Sequence, residues 1–259
     1  MTKIILHGCL GAMGQAVLRS ADEYDTQIVA GISGGEPAPG AHFTAGFPTF
    51  GQIADCDMKA DVIIDFSLAD AVTPLLKFAR EKKLPAVICT TGLTPEQEDE
   101  ITETAKIVPI FHSSNMSLGI SLLTTVLKRV SRLLYESGFD IEILEKHHNR
   151  KIDAPSGTAW VLAASVNAAL DNKLEPVFDR SPRRERRGRE ELGMSSIRGG
   201  TICGEHSVIF AGNEEVIELR HSAFSREIYA VGALNAAKYI KDKPPGLYTM
   251  ENIINLEEL

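Results

Sequence analysis

The sequence lacks the features that mark several classes of protein. It has no C-x-x-C pair, and its four cysteines are widely spaced along 259 residues, which is typical of reduced thiols in a cytosolic protein. No apolar run approaches the length of a membrane span, and the chain enters a predicted strand at once, without the architecture of a signal peptide. The net charge of −8 argues against nucleic-acid binding, which depends largely on neutralising phosphates. We therefore expect a cytoplasmic protein with neither a membrane nor a nucleic-acid partner.

The remaining composition is that of a globular protein with a packed core. Hydrophobic residues make up 44% and charged residues 24% of the chain, which are ordinary values, and the length suits one large domain or two small ones. In the first half, apolar strands alternate with helices, which predicts a doubly wound parallel sheet. The predicted strands are 3–7, 27–32, 60–67, 85–92 and 108–112, the helices are 15–21, 69–83 and 94–106, and 34–51 is an irregular excursion.

The pattern changes from residue 118 onward. A long helix, a strand and a second helix are followed by three strand-like runs, which predicts an α+β domain with a mixed, mostly antiparallel sheet. These elements are 118–135, 139–144, 158–170, 194–198, 201–211 and 215–222, and the chain ends in a helix, 228–241, and an apolar tail, 247–256. The arginine-rich segment 180–191 also contains glutamates. We predict that it is a solvated, mobile loop rather than a nucleic-acid patch.

A glycine turn follows the first predicted strand. Gly8, Gly11 and Gly14 form a G-x-x-G-x-x-G pattern that runs into a helix. Strand, glycine turn and helix are the context of a dinucleotide fingerprint, because bare backbone and a helix N-terminus accept a pyrophosphate. The pattern alone also fits βα units that bind no nucleotide. The acid that normally reads the ribose after the second strand is absent, since Ser33 and Gly34 stand there.

A second stretch, 145–159, concentrates chemistry-bearing side chains. His147, His148 and Lys151 precede the Ser156-Gly157-Thr158 turn, which opens a helix. Backbone N–H groups of all three turn residues, with the helix dipole behind them, predict a site for a small carboxylate beside proton donors. The alternative is a basic loop with chance histidines. A metal site of His147, His148, His206 and His221 fits the residue types, but no ligand spacing supports it.

This stretch is similar to the His-His-x-x-Lys-x-Asp-x-Pro-Ser-Gly-Thr-Ala signature of the dihydrodipicolinate reductase family, also called 4-hydroxy-tetrahydrodipicolinate reductases. Further segments fall in the family's order over nearly the whole chain, namely 8–14, 65–67, 90–92, 113–119 and 198–206. The resemblance implies an NAD(P)H-dependent oxidoreductase that reduces a cyclic dicarboxylate to tetrahydrodipicolinate in diaminopimelate and lysine biosynthesis.

The resemblance also implies a domain organisation. A Rossmann-like domain, 1–117 with 228–259, would hold the dinucleotide, and a second domain, 118–227, would bind substrate and mediate oligomerisation. A hinge would close the two domains around the substrate. The family is usually homotetrameric, assembled through the sheet of the second domain.

The resemblance assigns roles to individual residues. His147 is the expected general acid and Lys151 the second proton donor, while substrate contacts are expected from His148, Ser156, Gly157 and Thr158. Cofactor contacts are expected from Gly8, Cys9, Leu10, Gly11, Ala12, Met13, Ser33, Cys89, Thr90, Thr91, Ser113, Ser114, Asn115 and Met116.

The chain departs from its relatives in two places that bear on the cofactor. Ser33 and Gly34 replace an acid followed by arginine, and Ala12 stands where some relatives carry arginine. We therefore expect use of both NADH and NADPH, with a slight preference for NADPH. Two other readings stay open: a dehydrogenase of another small acid or amino-acid semialdehyde, and a non-catalytic nucleotide sensor with the same fold.

Overall fold

The structure is a computed structural model that describes residues 1–34, 46–113 and 115–254. Its strands are β1 (Thr2–His7), β2 (Thr26–Ile32), β3 (Thr49–Phe50), β4 (Val62–Asp65), β5 (Ala86–Ile88), β6 (Pro109–His112), β7 (Asp140–His147), β8 (Glu175–Val177), β9 (Glu191–Arg198), β10 (Gly204–Ala211), β11 (Val216–Ala223) and β12 (Gly246–Tyr248). Its α-helices are α1 (Ala12–Ser20), α2 (Val72–Lys82), α3 (Pro95–Ala105), α4 (Leu118–Glu136), α5 (Gly157–Ala168), α6 (Glu227–Ile240) and α7 (Met250–Ile253). Within the described ranges, no helix is long and apolar enough to cross a membrane.

The chain divides into two compact units. The first combines Met1–Leu118 with Arg226–Leu259, and the second is Gly119–Ser225. The first unit contains a seven-stranded sheet in the order β12-β6-β5-β4-β1-β2-β3. All of its strand pairs are parallel, so the predicted doubly wound parallel sheet is confirmed.

Helices cover both faces of this sheet, because successive residues of a strand point to opposite sides. Ile4 and Leu6 of β1 pack in one buried cluster with α1 and α6, whereas Ile5 packs in another with α2 and α3. The C-terminal segment therefore completes the first unit through α6 and the edge strand β12. The sequence predicted only an apolar tail around β12, and no strand at β3 in the 34–51 excursion. Residues 35–45 of that excursion lie outside the described residues.

The second unit contains a five-stranded sheet in the order β11-β10-β7-β9-β8. β10 runs antiparallel to β7 and β11 over nearly its full length, and β9 runs parallel to β7 and β8. The mixed sheet is therefore as predicted. Three details were wrong: β7 continues to His147, β9 begins at Glu191, and β10 begins at Gly204. The short strand β8 was missed, because three residues carry too little alternation to predict a strand.

The arginine-rich segment 180–191 is hydrogen-bonded to the sheet through Arg187, so the prediction of a solvated loop is wrong for this residue. Arg187 donates to Glu142 at 2.8 Å, to Asp140 at 3.0 Å and to the Ile141 carbonyl at 2.9 Å. The two acids are two residues apart and share one face of β7, where they require a cation. Gly193 opposite them leaves room for the Glu142 carboxylate, since a Cβ there would lie 1.5 Å from its Oε2.

Candidate active site

The glycine turn of the first unit, between β1 and α1, has no side chains at Gly8 and Gly11. Gly8 has a φ of +80°, and a Cβ there would lie 2.4 Å from the Phe66 carbonyl oxygen. A Cβ on Gly14 would lie 2.3 Å from the Gly8 carbonyl oxygen. Helix α1 begins at Ala12, earlier than the predicted residue 15, and has no acid in its first turn. Its first N–H groups have no partner within the helix, so the turn is a potential anion site.

Substitution of Gly8 tests this close approach. We expect Gly8→Ala to lower the free energy of unfolding by about 2–4 kcal/mol, because alanine is strained at positive φ and its methyl group meets the backbone of Phe66. Urea unfolding measures the change. Gly51→Ala is a matched control, since a Cβ at Gly51 meets nothing within 4 Å. Equal losses in the two variants would contradict the steric explanation.

A buried carboxylate ties together the ends of three neighbouring strands beside this turn. Asp65 is 0% exposed. It accepts a hydrogen bond from the Thr90 hydroxyl at 2.6 Å and from the Ser67 N–H at 3.2 Å, and it lies 3.1 Å from His7 Nδ1. Burial, with a smaller contribution from the Asp65 charge, raises the pKa of the Cys89 thiol well above its usual value. Cys89 is therefore a neutral thiol at neutral pH.

A cavity of about 360 Å³ opens at these strand ends. It is lined by Met13, Phe66, Ser67, Cys89, Thr90, Thr91, Ser113, Asn115, Met116 and Tyr229. Seven of these were expected to contact a cofactor, whereas Phe66, Ser67 and Tyr229 were not. Ser33 lies at the end of β2, where its N–H donates to the Phe50 carbonyl at 3.0 Å, and it does not line the cavity. Ser114 lies outside the described residues.

The second unit places His147 at the end of β7 beside a buried acid. Glu145 is 1% exposed, and its Oε2 lies 2.6 Å from His147 Nδ1. The two residues share a face of the strand because they are two positions apart. The register places Glu145 opposite Ser196 on β9 and His206 on β10. Arg198, opposite His147, donates to both carboxylate oxygens of Glu145 at 2.7 Å.

This bonding keeps Glu145 ionised. Burial alone would raise its pKa, but hydrogen bonds from Arg198 and His147 outweigh it and lower the pKa of Glu145 to about 2. For His206, burial is not outweighed. Burial is the largest cause that lowers the pKa of His206 to about 4, and the electrostatic effect of the nearby His147 is the next largest. At neutral pH the site therefore contains a carboxylate paired with a guanidinium and a neutral His206 ring.

The turn at the start of α5 differs from the prediction in one respect. Ser156 is the N-cap, and its hydroxyl accepts from the Ala159 N–H at 3.2 Å and lies 2.9 Å from His206 Nε2. Its own N–H donates to Glu145 Oε1 at 3.1 Å. The prediction that three N–H groups converge on a ligand is therefore wrong for Ser156, whose N–H bonds to Glu145.

The remaining predicted donors lie on the loop between β7 and α5. Lys151 Nζ donates to both carboxylate oxygens of Asp153 at 2.8 Å, and this pairing lowers the pKa of Asp153. His148 is half-buried. Its carbonyl accepts from the Lys151 N–H at 3.1 Å, which shapes the turn.

The sequence alone assigned no role in catalysis or substrate binding to Glu145, Arg198 or His206, and His206 entered only the metal alternative. An available signal was the alternation of β7, which puts position 145 on the buried face, where an acid requires a partner. In the part of the chain that the structure describes, no group of three or more His, Cys, Asp or Glu side chains could hold a metal ion. The four-histidine alternative therefore has no support in the geometry.

Comparisons with known proteins cover both units. The family model for the N-terminus of dihydrodipicolinate reductase matches residues 2–116, and the model for its C-terminus matches residues 119–254. The 4-hydroxy-tetrahydrodipicolinate reductase of Clostridium novyi (strain NT) is 47% identical over 256 residues, covering 98% of each chain. That of Caldanaerobacter subterraneus subsp. tengcongensis is 46% identical over 255 residues, again covering 98% of each.

A solved structure shares the fold. The dipicolinate-bound dihydrodipicolinate reductase from Paenisporosarcina sp. TG-14 matches with a TM-score of 0.80 at 22% identity, over 98% of this chain and 100% of that chain. A probable dehydrogenase from Thermotoga maritima matches less well, with a TM-score of 0.57 at 12% identity. The two family models together span nearly the whole chain, and the two relatives match it at almost full length. The chain therefore belongs to the dihydrodipicolinate reductase family.

Proposed function

We propose that this protein catalyses the NADH- or NADPH-dependent reduction of 4-hydroxy-tetrahydrodipicolinate to tetrahydrodipicolinate in diaminopimelate and lysine biosynthesis. The observation that carries the proposal is the 47% identity to a 4-hydroxy-tetrahydrodipicolinate reductase over 98% of both chains. A match of this extent spans both the glycine turn and the His147 stretch. It therefore covers both the cofactor part and the substrate part of the proposed site.

The first unit fits a dinucleotide cofactor. Gly8 and Gly14 let the turn pack closely against the backbone of the chain itself, and the first turn of α1 contains no acid that would repel a pyrophosphate. We assign the turn from Gly8 to Met13 to the pyrophosphate, and the cavity around Thr90, Thr91 and Asn115 to the nicotinamide side. When bound, the reduced nicotinamide supplies a hydride.

The second unit supplies the groups that bind and protonate the substrate. Loss of water from the substrate removes the 4-hydroxyl group and gives a conjugated cyclic imine. Hydride addition at C4 of this imine moves charge toward the ring nitrogen, and the resulting enamine must take up a proton. His147 is the proposed donor, since an imidazole suits proton transfer near neutral pH. Lys151 is the proposed second donor and stabilises the developing charge. The N–H groups of Gly157 and Thr158, together with His148, hold a substrate carboxylate.

Turnover tests the proposal directly. Aspartate semialdehyde, pyruvate and the synthase that joins them generate the unstable substrate in the cuvette, and the near-UV absorbance of reduced nicotinamide reports its consumption. We expect oxidation that requires all three components and this protein. Reactions without the synthase provide the control. Oxidation of reduced nicotinamide that does not require the synthase, or no oxidation at all, would contradict the proposed function.

Substrate affinity depends in this proposal on the turn at the start of α5. We propose that the Thr158 hydroxyl donates to the carboxylate beside the two N–H groups. We expect Thr158→Val to raise KM for the substrate, and Kd for pyridine-2,6-dicarboxylate, by about 10- to 150-fold, because this side-chain hydrogen bond to a charged group is lost. Gly157→Ala should also weaken binding, although a Cβ there meets nothing within 4 Å and the fold should tolerate it. NADH affinity measured without substrate is the control. A large loss of NADH affinity would place this turn on the cofactor instead.

Cofactor choice is proposed to be dual. An acid after β2 would bond the ribose hydroxyls and repel a 2′-phosphate, and Ser33 does neither. We expect kcat/KM for NADPH and NADH to differ by less than about tenfold, or 1.4 kcal/mol, in favour of NADPH. Ser33→Asp should shift the ratio toward NADH through repulsion of the phosphate. Initial rates with each cofactor measure this. A wild-type preference of about a hundredfold, or an unchanged ratio in the variant, would contradict a role for position 33.

We further propose that the protein is a cytoplasmic homotetramer assembled through the sheet of the second unit. The edge strand β11 supports this assembly, because it presents Val216 at 65% and Ile217 at 38% exposure. Exposed apolar side chains on a sheet edge favour association. Light scattering after size-exclusion chromatography should give the mass of four chains, and a monomer mass would contradict the assembly.

A further inference from the structure

We propose that Glu145 is a positioning residue that fixes the ring of His147 with Nε2 as the proton-donating nitrogen. The inference rests on the proposed function, in which His147 is the general acid. It adds a residue that touches neither cofactor nor substrate and acts only through the imidazole.

The contact between Glu145 and His147 fixes which ring nitrogen carries the proton. An ionised carboxylate only accepts hydrogen bonds, so the 2.6 Å contact between Glu145 Oε2 and His147 Nδ1 requires a proton on Nδ1. The low pKa of Glu145, about 2, keeps the carboxylate in this accepting form. Neutral His147 therefore adopts the Nδ1–H tautomer, and the exchangeable position is Nε2.

The carboxylate of Glu145 is itself held in place by hydrogen bonds. Arg198 donates to both of its oxygens at 2.7 Å, and the Ser156 N–H donates to Oε1 at 3.1 Å. Arg198 is held in turn by the Asp153 carbonyl at 2.6 Å. A planar guanidinium bonded to two oxygens fixes both distance and angle. The orientation of the carboxylate on β7 is therefore determined by β9 and by the segment that leads into α5.

The other ring nitrogen of His147, Nε2, faces a position without a side chain. A Cβ at Gly204 would lie 3.1 Å from His147 Nε2 and 3.4 Å from its Cδ2, so the absence of a side chain there leaves Nε2 uncrowded. The His206 ring lies edge-on at 5.1 Å between centroids and is neutral because it is buried. It therefore adds no charge that would oppose protonation of His147.

Glu145→Gln tests the proposal with little change in shape. The glutamine oxygen can still accept from the Ser156 N–H and from Nη2 of Arg198. Its amide nitrogen replaces the oxygen that faces His147 Nδ1 and Nη1 of Arg198, so it presents N–H donors to both. The ring must then accept at Nδ1 and carry its proton on Nε2, which disfavours the imidazolium. We expect kcat to fall about 100-fold or more, while KM and Kd for pyridine-2,6-dicarboxylate stay within about threefold.

Two readouts separate positioning from a structural role. Trp160 is the only tryptophan in the sequence and lies in the first turn of α5, so its fluorescence reports dicarboxylate binding. The double variant Glu145→Gln with His147→Ala should have the same kcat as His147→Ala alone, because Glu145 has no other route to the chemistry. Glu205→Gln is the matched control. It removes another carboxylate that pairs with two cations, Lys146 and Arg220, and should leave kcat unchanged.

The outcomes distinguish this inference from the proposed function. If Glu145→Gln lowers kcat equally with and without His147, or weakens dicarboxylate binding as much as it lowers kcat, the positioning role is wrong. An inactive wild-type protein would contradict the proposed function. In that case ring-nitrogen NMR, assigned with His147→Gln, still decides the inference. An Nδ1–H tautomer in the wild type that switches to Nε2–H in Glu145→Gln supports it, and an unchanged tautomer overturns it.

Discussion

Replacing His147 with alanine is expected to lower kcat by about 10²- to 10⁴-fold, the usual loss for a positioned general acid. The proton then has to come from Lys151 or from water. KM should change much less, because the carboxylate-binding turn stays intact. Steady-state rates with the substrate generated in situ measure both constants. A variant that retains the wild-type kcat would remove His147 from the chemistry.

Lys151→Ala is expected to produce a loss of similar size, because a fixed cation near the developing charge is removed. Combining it with His147→Ala should cost less than the product of the two single effects, since both residues serve one transfer of charge and proton. Lys146→Ala provides the matched control. Lys146 lies on β7 and pairs with Glu205 at 3.2 Å, away from the turn. If it lowers kcat as much as Lys151→Ala does, the loss reflects the general charge of the loop.

The second large effect expected is on stability, in Arg198→Met. This change leaves the carboxylate of Glu145 buried at 1% exposure without its main cation. Removing one partner of a buried ion pair costs about 3–5 kcal/mol, because an uncompensated charge remains. Urea unfolding followed by circular dichroism measures the loss.

Arg220→Met is the control for this variant. Arg220 pairs with Glu205, but its side chain is 50% exposed, and exposed pairs contribute about 0–1 kcal/mol. Similar losses in the two variants would show that burial of Glu145 is not the cause.

The same pair makes stability depend on pH in a defined direction. The pKa of Glu145 is about 2 in the folded chain against an ordinary value of 4.5, so the folded state binds fewer protons than the unfolded state between these values. The contribution, about 3 kcal/mol, is complete above pH 4.5 and disappears as pH falls toward 2. The difference between wild type and Arg198→Met should therefore shrink over that window. A difference independent of pH would contradict the assignment.

Local signals in the sequence predicted many elements correctly. The predicted helix 94–106 corresponds to α3, which begins with a capping box: the Thr94 N–H donates to Gln97 at 3.0 Å and the Gln97 N–H donates to Thr94 at 3.3 Å. The apolar strands of the first unit were likewise recognised, because each is buried on both faces. Strands β3, β8 and β12 were missed, since two or three residues become a strand only through their neighbours.

The candidate site also contains features that local sequence predicts and features that depend on distant contacts. The sequence alone predicted His147, Lys151 and the turn at Ser156 as site residues, because they lie within ten positions and match one family signature. Its error at Ser156 has a physical cause. Whether an N–H faces a ligand depends on whether another acceptor reaches it first, and that acceptor is Glu145, eleven positions earlier on β7.

By itself, the sequence determined the family, the alternation that builds the parallel sheet, and the residues available for proton transfer, because those properties lie in residue type and short-range order. Only the tertiary structure decided how these groups are held. Glu145 and Arg198 are 53 positions apart and meet because β7 and β9 pair in a register that sets His147 against Arg198. Pairing between distant strands depends on the packing of the whole sheet, so no local pattern specifies it.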